Sequence, residues 1–373
     1  MERIQTQQIL KDLDKKIVLL VGPRQAGKTW IAKHIALKFK YSLYLNYDSI
    51  KDRQIMLEQS WLLNLDLLIL DELHKMPDWK NYLKGIFDTK PASMRLLVTG
   101  SARLDIYDRI GDSLAGRYFK HRLLPLSLSE LRQIGNDSNI TALIERSGFP
   151  EPFLASNDVE AERWRQQYIN SMLSTDIFDI DVINNLKAFR LVFDLLRDRV
   201  GSVISYNSIA EDVQISPTTV KKYIQILEAL YIIFIVTPYS KNIARSVLKE
   251  PKIYFFDTGL LTTDYGHKLE NAVANCLLKS ICASNDITAS EYSLQFMRTK
   301  DGLEVDFAIV NNGTIETMIE VKTSQSDIHP ALKLFHNKYN IPAIQLVQNL
   351  RTDYYNCGIK LLNLEKYLLE LYL

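Results

Sequence analysis

Residues Gly22 to Thr29, GPRQAGKT, match the pattern GxxxxGK[ST] at every specified position. A loop of this type wraps a polyphosphate: its glycines take positive φ without a Cβ clash, so backbone N–H groups can approach the phosphate oxygens closely. Lys28 is then expected at the β- and γ-phosphates and Thr29 on Mg²⁺. Pro23, Arg24, Gln25 and Ala26, between Gly22 and Gly27, and Trp30 just beyond Thr29 complete the expected ATP-binding stretch. Further on, LDLLILDE ends in Asp71 and Glu72. Acids at the C-terminal end of an apolar strand lie where open α/β sheets bind ligands. Asp71 is expected in the Mg²⁺ shell and Glu72 is expected to polarise the attacking water. A third set comes late, in LEVDFAIVNNGTIETMIEVK: Asp306, Glu320 and Lys322. Glu320 and Lys322 are two apart and leave one face of a strand. Two carboxylates sharing a Mg²⁺ activate water, and a lysine beside them stabilises charge at a phosphate.

Regular elements must position these groups. KIVLLV, Lys16 to Val21, is a short apolar run of the kind that forms a buried parallel strand, and it ends at Gly22. The helical stretch Trp30 to Phe39 follows, so the loop opens a helix whose N-terminal partial charge favours anions. Leu65 to Leu70 and Arg95 to Thr99 are two further apolar strands, the latter leading into Gly100 and Ser101. For the late acids, hairpin register decides. A three-residue loop, Asn311 to Gly313, puts Asp306 and Glu320 on one face, whereas a two-residue loop, Asn312-Gly313, points them apart. The odd-length loop, or a bulge with the same effect, is predicted.

The segments GPRQAGKT, LDE, TGSA and LAGRY, in that order, resemble one group of AAA+ ATPases: widespread, largely uncharacterised bacterial and archaeal proteins with a C-terminal domain of unknown function. The resemblance implies a sensor residue at Thr99 or Ser101, with Ser101 favoured. It implies an arginine finger at Arg117 that completes a neighbouring subunit's site in a homo-oligomer. The alternative for Arg117 is a surface arginine paired with a nearby acid such as Asp112. The D…ExK set resembles the PD-(D/E)xK nuclease core, which implies Glu270, from the helical run LENAVANCLLKSI, as a third acidic Mg²⁺ ligand beside Asp306 and Glu320.

Between these ends, Trp164, Tyr168, Met172, Phe189, Val192 and Leu196 recur at helical spacing. Ser202 to Pro238 reads as two short helices and a strand, with Asn207 or Ser208 capping the first helix, Ser216 the second, and Pro217 at its first position. Val220, Ile224 and Leu227 fall on one face of the second helix. Thr218, Thr219, Lys221, Lys222 and Gln225 point mainly outward, as in a helix-turn-helix recognition helix followed by a wing. The six basic residues Lys221, Lys222, Lys241, Arg245, Lys249 and Lys252 face two acids, Glu228 and Glu250, over Ser216 to Lys252. This local excess matters because the whole chain, with 45 Lys plus Arg against 44 Asp plus Glu, has no general basic field to draw it to nucleic acid.

A length of 373 residues allows several domains. Three cysteines, odd in number and without metal-ligand spacing, argue against a disulfide framework and a zinc site. The N-terminus lacks the apolar core of a signal peptide and no run is long enough to span a bilayer, so a cytoplasmic protein with no membrane contact is expected. The expected fold is multidomain α/β: a P-loop AAA+ parallel-sheet domain (1–150), a helical connector (151–200), a winged helix (201–250) and a restriction-endonuclease-like domain (251–373). The expected function is Mg²⁺-dependent ATP hydrolysis with DNA bound by the C-terminal half, whose nuclease-like core is the candidate for cutting it; RNA or protein are the other partner classes. The alternative is an ATP-operated switch controlling a DNA or protein contact, its nuclease-like domain inert.

Overall fold

In the computed structural model, residues 3–62, 64–100, 114–173, 183, 185–240, 250–299, 301–324 and 327–372 are described. Ser101, Lys241, Arg245 and Lys249 lie outside them. The chain is a multidomain α/β protein whose parallel-sheet domain precedes one built on a mixed sheet. It divides into two compact units, Met1–Pro125 with Ala229–Tyr231, and Leu126–Glu228 with Ile232–Leu373. Residues 126–150 thus pack within the second unit.

The first unit is a five-stranded parallel sheet of β1 (Ile17–Val21), β2 (Ser42–Asn46), β3 (Leu67–Asp71), β4 (Arg95–Thr99) and β5 (Tyr118–Arg122), in the order β2-β3-β4-β1-β5. Both faces are covered, so β1 and β3 are apolar and buried at every position before the terminal Asp71. On one face, helices α1 (Gln5–Leu13) and α2 (Lys28–Ala36) bring Ile9, Leu13, Ile31 and Ile35 against Val18, Leu20 and Leu97. On the other, α3 (Ile50–Glu58) and α4 (Trp79–Thr89) bring Met56, Trp79, Leu83 and Ile86 against Leu19, Leu68 and Val98. The register sets Leu20, Thr99 and Asp71 level across three neighbouring strands. The polar ends of β3 and β4 therefore stand beside the loop that leaves β1.

In the second unit, α5 (Leu128–Gln133), α6 (Ile140–Arg146), α7 (Pro150–Phe153), α8 (Asp158–Ser171) and α9 (Leu186–Asp198) precede the pair α10 (Tyr206–Val213) and α11 (Pro217–Ala229). The residues at helical spacing, Trp164, Tyr168, Met172, Phe189, Val192 and Leu196, are all buried. The N-cap of α10 is Ser205, whose side chain makes no cap hydrogen bond, and neither Asn207 nor Ser208, which lie inside the helix. The turn to α11 begins at Gln214, with φ of 60°, and Ser216 Oγ accepts from Thr219 N at 3.1 Å, with Pro217 first in the helix.

The mixed sheet runs β12-β13-β11-β10-β9-β8-β6-β7, where β6 is Ile233–Pro238, β7 Lys252–Phe255, β8 Tyr292–Arg298, β9 Glu304–Asn311, β10 Thr314–Lys322, β11 Ala343–Val347, β12 Tyr354–Asn356 and β13 Ile359–Asn363. β6 pairs with β7 as far as Val236 and with β8 from Thr237, changing partner within one strand. The β9–β10 hairpin closes on the two-residue turn Asn312-Gly313, with φ of 49° and 76°, in place of the three-residue loop. Asn311 faces Thr314 and Val310 faces Ile315; past Glu316 the ladder resumes one residue out of step, with Ile309 facing Thr317 and Phe307 facing Ile319. That bulge restores the parity the tight turn would have broken, so Asp306 and Glu320 share a face.

Helix α12 (Tyr265–Thr288) packs on β7 and β8. It is tied to α5 by the wholly buried ion pair of Glu130 and Lys279. Removing one partner of such a pair leaves an uncompensated charge, at a cost of about 3–5 kcal/mol. Lys279→Met should therefore lower the urea midpoint of the second unit strongly, and Glu130→Leu with Lys279→Met should recover most of the loss. A double variant as unstable as the single would show that the pair holds the helix through more than its charges.

Candidate functional site

Gly22 has φ of 144°, and a Cβ there would stand 2.3 Å from the Leu123 carbonyl oxygen, so only glycine fits where the loop leaves β1 beside the end of β5. Gln25 and Gly27 also take positive φ, 59° and 99°, which turns the loop back on itself at the start of α2. Lys28 is buried, and its Nζ donates to the Gly22 and Pro23 carbonyls at 2.9 and 2.6 Å. Burial lowers its pKa to about 8, against the opposing pull of Glu72 and Asp71. The ammonium is thus held within the loop's own curve.

Asp71 gathers the site. Its Oδ2 accepts from Thr29 Oγ1 at 3.1 Å and from the Tyr44 hydroxyl; its Oδ1 accepts from Thr99 Oγ1 and, at 3.0 Å, from Glu72 N. Three neighbouring strands, β2, β3 and β4, and the first turn of α2 thereby meet at one buried carboxylate. Burial, and the hydrogen bond to Asp71, raise the Tyr44 pKa. Glu72 has φ of 56°, a sparsely populated conformation for a non-glycine residue, and its Oε2 lies 3.5 Å from His74 Nε2 and 3.7 Å from Lys75 Nζ. Burial is the main cause of its raised pKa. Thr99, one of the two sensor candidates, is at the centre of the site, whereas Ser101 lies outside the described residues. Trp30 is 44% exposed and stacks on His34 with ring centroids 5.1 Å apart.

Arg117 is elsewhere. It precedes β5, its carbonyl accepts from Ile17 N, and so it stands about 16 Å of strand from the loop, at the opposite end of the sheet. Its guanidinium pairs with Asp88 at 3.0 Å, an acid on α4, and it adds nothing to its own subunit's site. Two residues not singled out from the sequence support the site. Tyr44 sits on β2, and its role follows only from the strand order that brings β2 beside β3. Arg3 is buried: Nη1 donates to Ala26 O inside the loop at 2.9 Å and Nη2 to Leu124 O at 2.7 Å. A lone arginine near an N-terminus carries no signal of that clamp.

On α11, Val220, Ile224 and Leu227 are buried, while Thr218, Lys221, Lys222 and Gln225 are exposed and Thr219 half-buried. The Thr218 and Thr219 hydroxyls lie 2.7 and 2.8 Å from Ser216 Oγ and so are engaged in capping the helix. Lys252, counted with the outward basic residues, is a correction: it is buried and ion-paired.

The late acids do assemble, around more than was expected. Glu320 Oε2 accepts from Asp306 N at 3.3 Å, Asp306 Oδ2 accepts from Val321 N at 2.9 Å, and Lys322 Nζ donates to Glu320 Oε1 at 2.7 Å. Glu270 reaches in from α12, its Oε1 accepting from Tyr254 Oη at 2.6 Å. Burial, then the neighbouring Asp306 carboxylate, raises Glu270 to about 7 and Glu320 to about 8. The Lys252 ammonium lies 3.2 Å from Glu270 Oε1, 2.7 Å from Glu304 Oε1 and 3.6 Å from Asp306 Oδ1. Among the described residues, no group of three or more His, Cys, Asp or Glu side chains is placed to hold a metal ion. Among them, no helix is long and apolar enough to cross a membrane.

Residues 14–132 match the family described as an AAA domain, 137–268 a domain of unknown function (DUF8612), and 265–367 another (DUF4143). The front of the chain is therefore an AAA-type, P-loop ATPase-like domain, and the back carries a DUF4143 domain. An uncharacterised protein of Mycobacterium tuberculosis is 31% identical over 248 residues, 66% of this chain; the chain spans about half of that relative, 55% of its length. An uncharacterised protein of Methanocaldococcus jannaschii is 25% identical, with 86% of this chain and 78% of the relative covered. Among solved structures, a Walker-type ATPase of Pyrococcus abyssi is similar with a TM-score of 0.43 at 12% identity, over 69% of this chain and 93% of that one.

The Arg3 clamp yields a test. A hydrogen bond to a charged donor contributes about 1.5–3 kcal/mol. Arg3→Ala should therefore weaken nucleotide binding roughly tenfold or more without altering any residue that meets a phosphate. Unchanged affinity, measured by titration with a fluorescent ATP analogue, would remove Arg3 from the site.

Proposed function

We propose that the protein binds and hydrolyses ATP with Mg²⁺ at the loop Gly22–Thr29, and that its C-terminal half binds DNA through α11, read as the recognition helix of a winged helix. The observation that carries the first part is the convergence of Thr29, Thr99 and Tyr44 on Asp71 beside that loop. The donor set suits the metal: a hard cation takes oxygen ligands, and the Thr29 hydroxyl and Asp71 carboxylate, 3.1 Å apart, are two oxygens a single ion can share. Bound there, Mg²⁺ would neutralise charge on the terminal phosphates.

The chain's own groups supply the rest. The loop backbone and the start of α2 cradle the phosphates. Lys28 exchanges its two loop carbonyls for phosphate oxygens, a better match for an ammonium whose pKa burial has lowered. Glu72, raised in pKa by burial, orients water and accepts its proton. Thr99 or Ser101 reads the γ-phosphate, and Arg117, directed away from its own subunit's loop, would act on a neighbour's once released from Asp88. For the second part, the exposed Lys221, Lys222 and Gln225 support a contact with phosphates and base edges.

Lys28→Ala should abolish nucleotide binding, whereas Glu72→Gln should keep ATP bound and lower turnover by about 10²–10⁴. Equal loss of binding in both, by equilibrium dialysis with labelled ATP, would contradict the assigned roles. Turnover should also rise when DNA is added; no response to any DNA shape would leave protein as the partner class.

The DNA contact has its own test. Replacing Lys221 and Lys222 by Ala should weaken DNA binding and flatten its salt dependence by up to about two counterion terms, near 0.9 per phosphate contact. An unchanged slope in anisotropy titrations between low and moderate salt would exclude the helix from the interface.

A further inference from the structure

The acid cluster of the second unit already contains a cation. Lys252 opens β7, and its side chain, 1% exposed, turns inward to where β6 changes from β7 to β8. An ammonium has three protons to donate and no acceptor. Three carboxylate oxygens from two different elements surround this one: Glu270 Oε1 of α12, and Glu304 Oε1 and Asp306 Oδ1 of β9, at 2.7 to 3.6 Å. These are ammonium-to-oxygen distances, well beyond the roughly 2.0–2.1 Å of Mg²⁺ to its ligands. The ring of Phe296 stands 5.6 Å from Nζ and supplies a further favourable face to the buried charge.

Four of the five other carboxylate oxygens are engaged as well. Asp306 Oδ2 accepts from Val321 N, Glu320 Oε2 from Asp306 N, and Glu320 Oε1 from Lys322 Nζ. Glu270 Oε1 is shared between Lys252 and Tyr254, and Glu304 Oε2 lies 3.5 Å from Arg298. Four carboxylates, Glu270, Glu304, Asp306 and Glu320, thus face three cations, Lys252, Lys322 and Arg298. Such a centre is close to neutral without an added ion. The residues present do not fit the divalent metal that a PD-(D/E)xK core requires.

We propose that the Lys252 ammonium takes the place of the divalent cation, so that the D…ExK centre is a metal-free ion cluster that holds α12, β7, β9 and β10 together and does not cut nucleic acid. Burial alone would lower the Lys252 pKa, but Glu270, Asp306 and Glu304 outweigh it and hold it above its ordinary value, so the lysine stays charged throughout the neutral range. A tethered cation also outcompetes a free one, because its translational freedom is already lost on folding.

The full chain, free of nucleotide, should be titrated with Mn²⁺ alone, with bound ion read by electron paramagnetic resonance. Wild type and Asp306→Asn should bind Mn²⁺ equally weakly. Lys252→Ala should gain a site at least tenfold tighter than any in wild type, lost again in Lys252→Ala/Asp306→Asn. Its melting temperature should fall below wild type and be restored by Mn²⁺, which leaves wild type unmoved. Should Lys252→Ala fail to fold even with Mn²⁺, the wild-type comparison decides. A wild-type site lost in Asp306→Asn, or Mn²⁺-dependent nicking of DNA lost in the same variant, would overturn the proposal, and wild type indistinguishable from Asp306→Asn in both would sustain it. ATP hydrolysis is read separately, so failure here leaves the assignment of the first unit untouched.

Discussion

A charge withdrawn from water must be met by opposite charge or by hydrogen bonds, and each unit of this protein is organised around one answer to that demand. In the first, the buried Asp71 carboxylate is met by neutral donors, the hydroxyls of Thr29, Thr99 and Tyr44 and the Glu72 amide. Hydroxyls compensate a carboxylate without cancelling its charge. The site keeps a net attraction for a cation, and the Thr29 hydroxyl can accept a metal while its proton remains with Asp71 or turns elsewhere. In the second, the carboxylates are met by Lys252, Lys322 and Arg298, and their charge is largely cancelled.

The first answer depends on strand order. β4 lies between the strand that delivers the loop and the strand that ends in Asp71, and it contributes Thr99 at the same level. A parallel sheet puts all its C-terminal ends on one edge, so a polar residue closing each strand reaches a common point without disturbing the apolar core behind it. Gly22 completes the arrangement, because the approach of Leu123 leaves no space for a Cβ exactly where β1 must turn into the loop, and Arg3 then fixes that loop from behind through Ala26 O.

Legibility followed the range of the interactions. The loop, Asp71, Glu72 and the strands that carry them could be read from the chain because their signal is local: a spacing of glycines, an apolar run, an acid at its end. The inward and outward faces of α11 were legible for the same reason, through helical period. Tyr44 and Arg3 were not, since each acts across 23 or more residues on a backbone or carboxylate whose nearness depends on the sheet. The β9–β10 hairpin was legible in its outcome and not in its detail: of the two predicted routes to a shared face for Asp306 and Glu320 it takes the bulge, because Asn312-Gly313 suits a two-residue turn, and nothing local at Glu316 announces where that bulge falls. Lys252 was the largest misreading, counted as part of a basic face because charge alone does not tell a solvated lysine from a buried one.

That misreading bears on what the second unit can do. A motif such as D…ExK records which side chains share a face, and here they do share it. It does not record what else enters the space between them. Whether carboxylates in a cluster form a metal site depends on the oxygens left to converge on an ion, and in this cluster three of them converge on an ammonium supplied by a strand outside the motif. The same residues that make the motif recognisable therefore serve cohesion, joining the edge strand β7 and helix α12 to the centre of the mixed sheet. Under the proposed function, chemistry at phosphates is then concentrated in the first unit, where the buried acid is compensated by groups that leave its charge available.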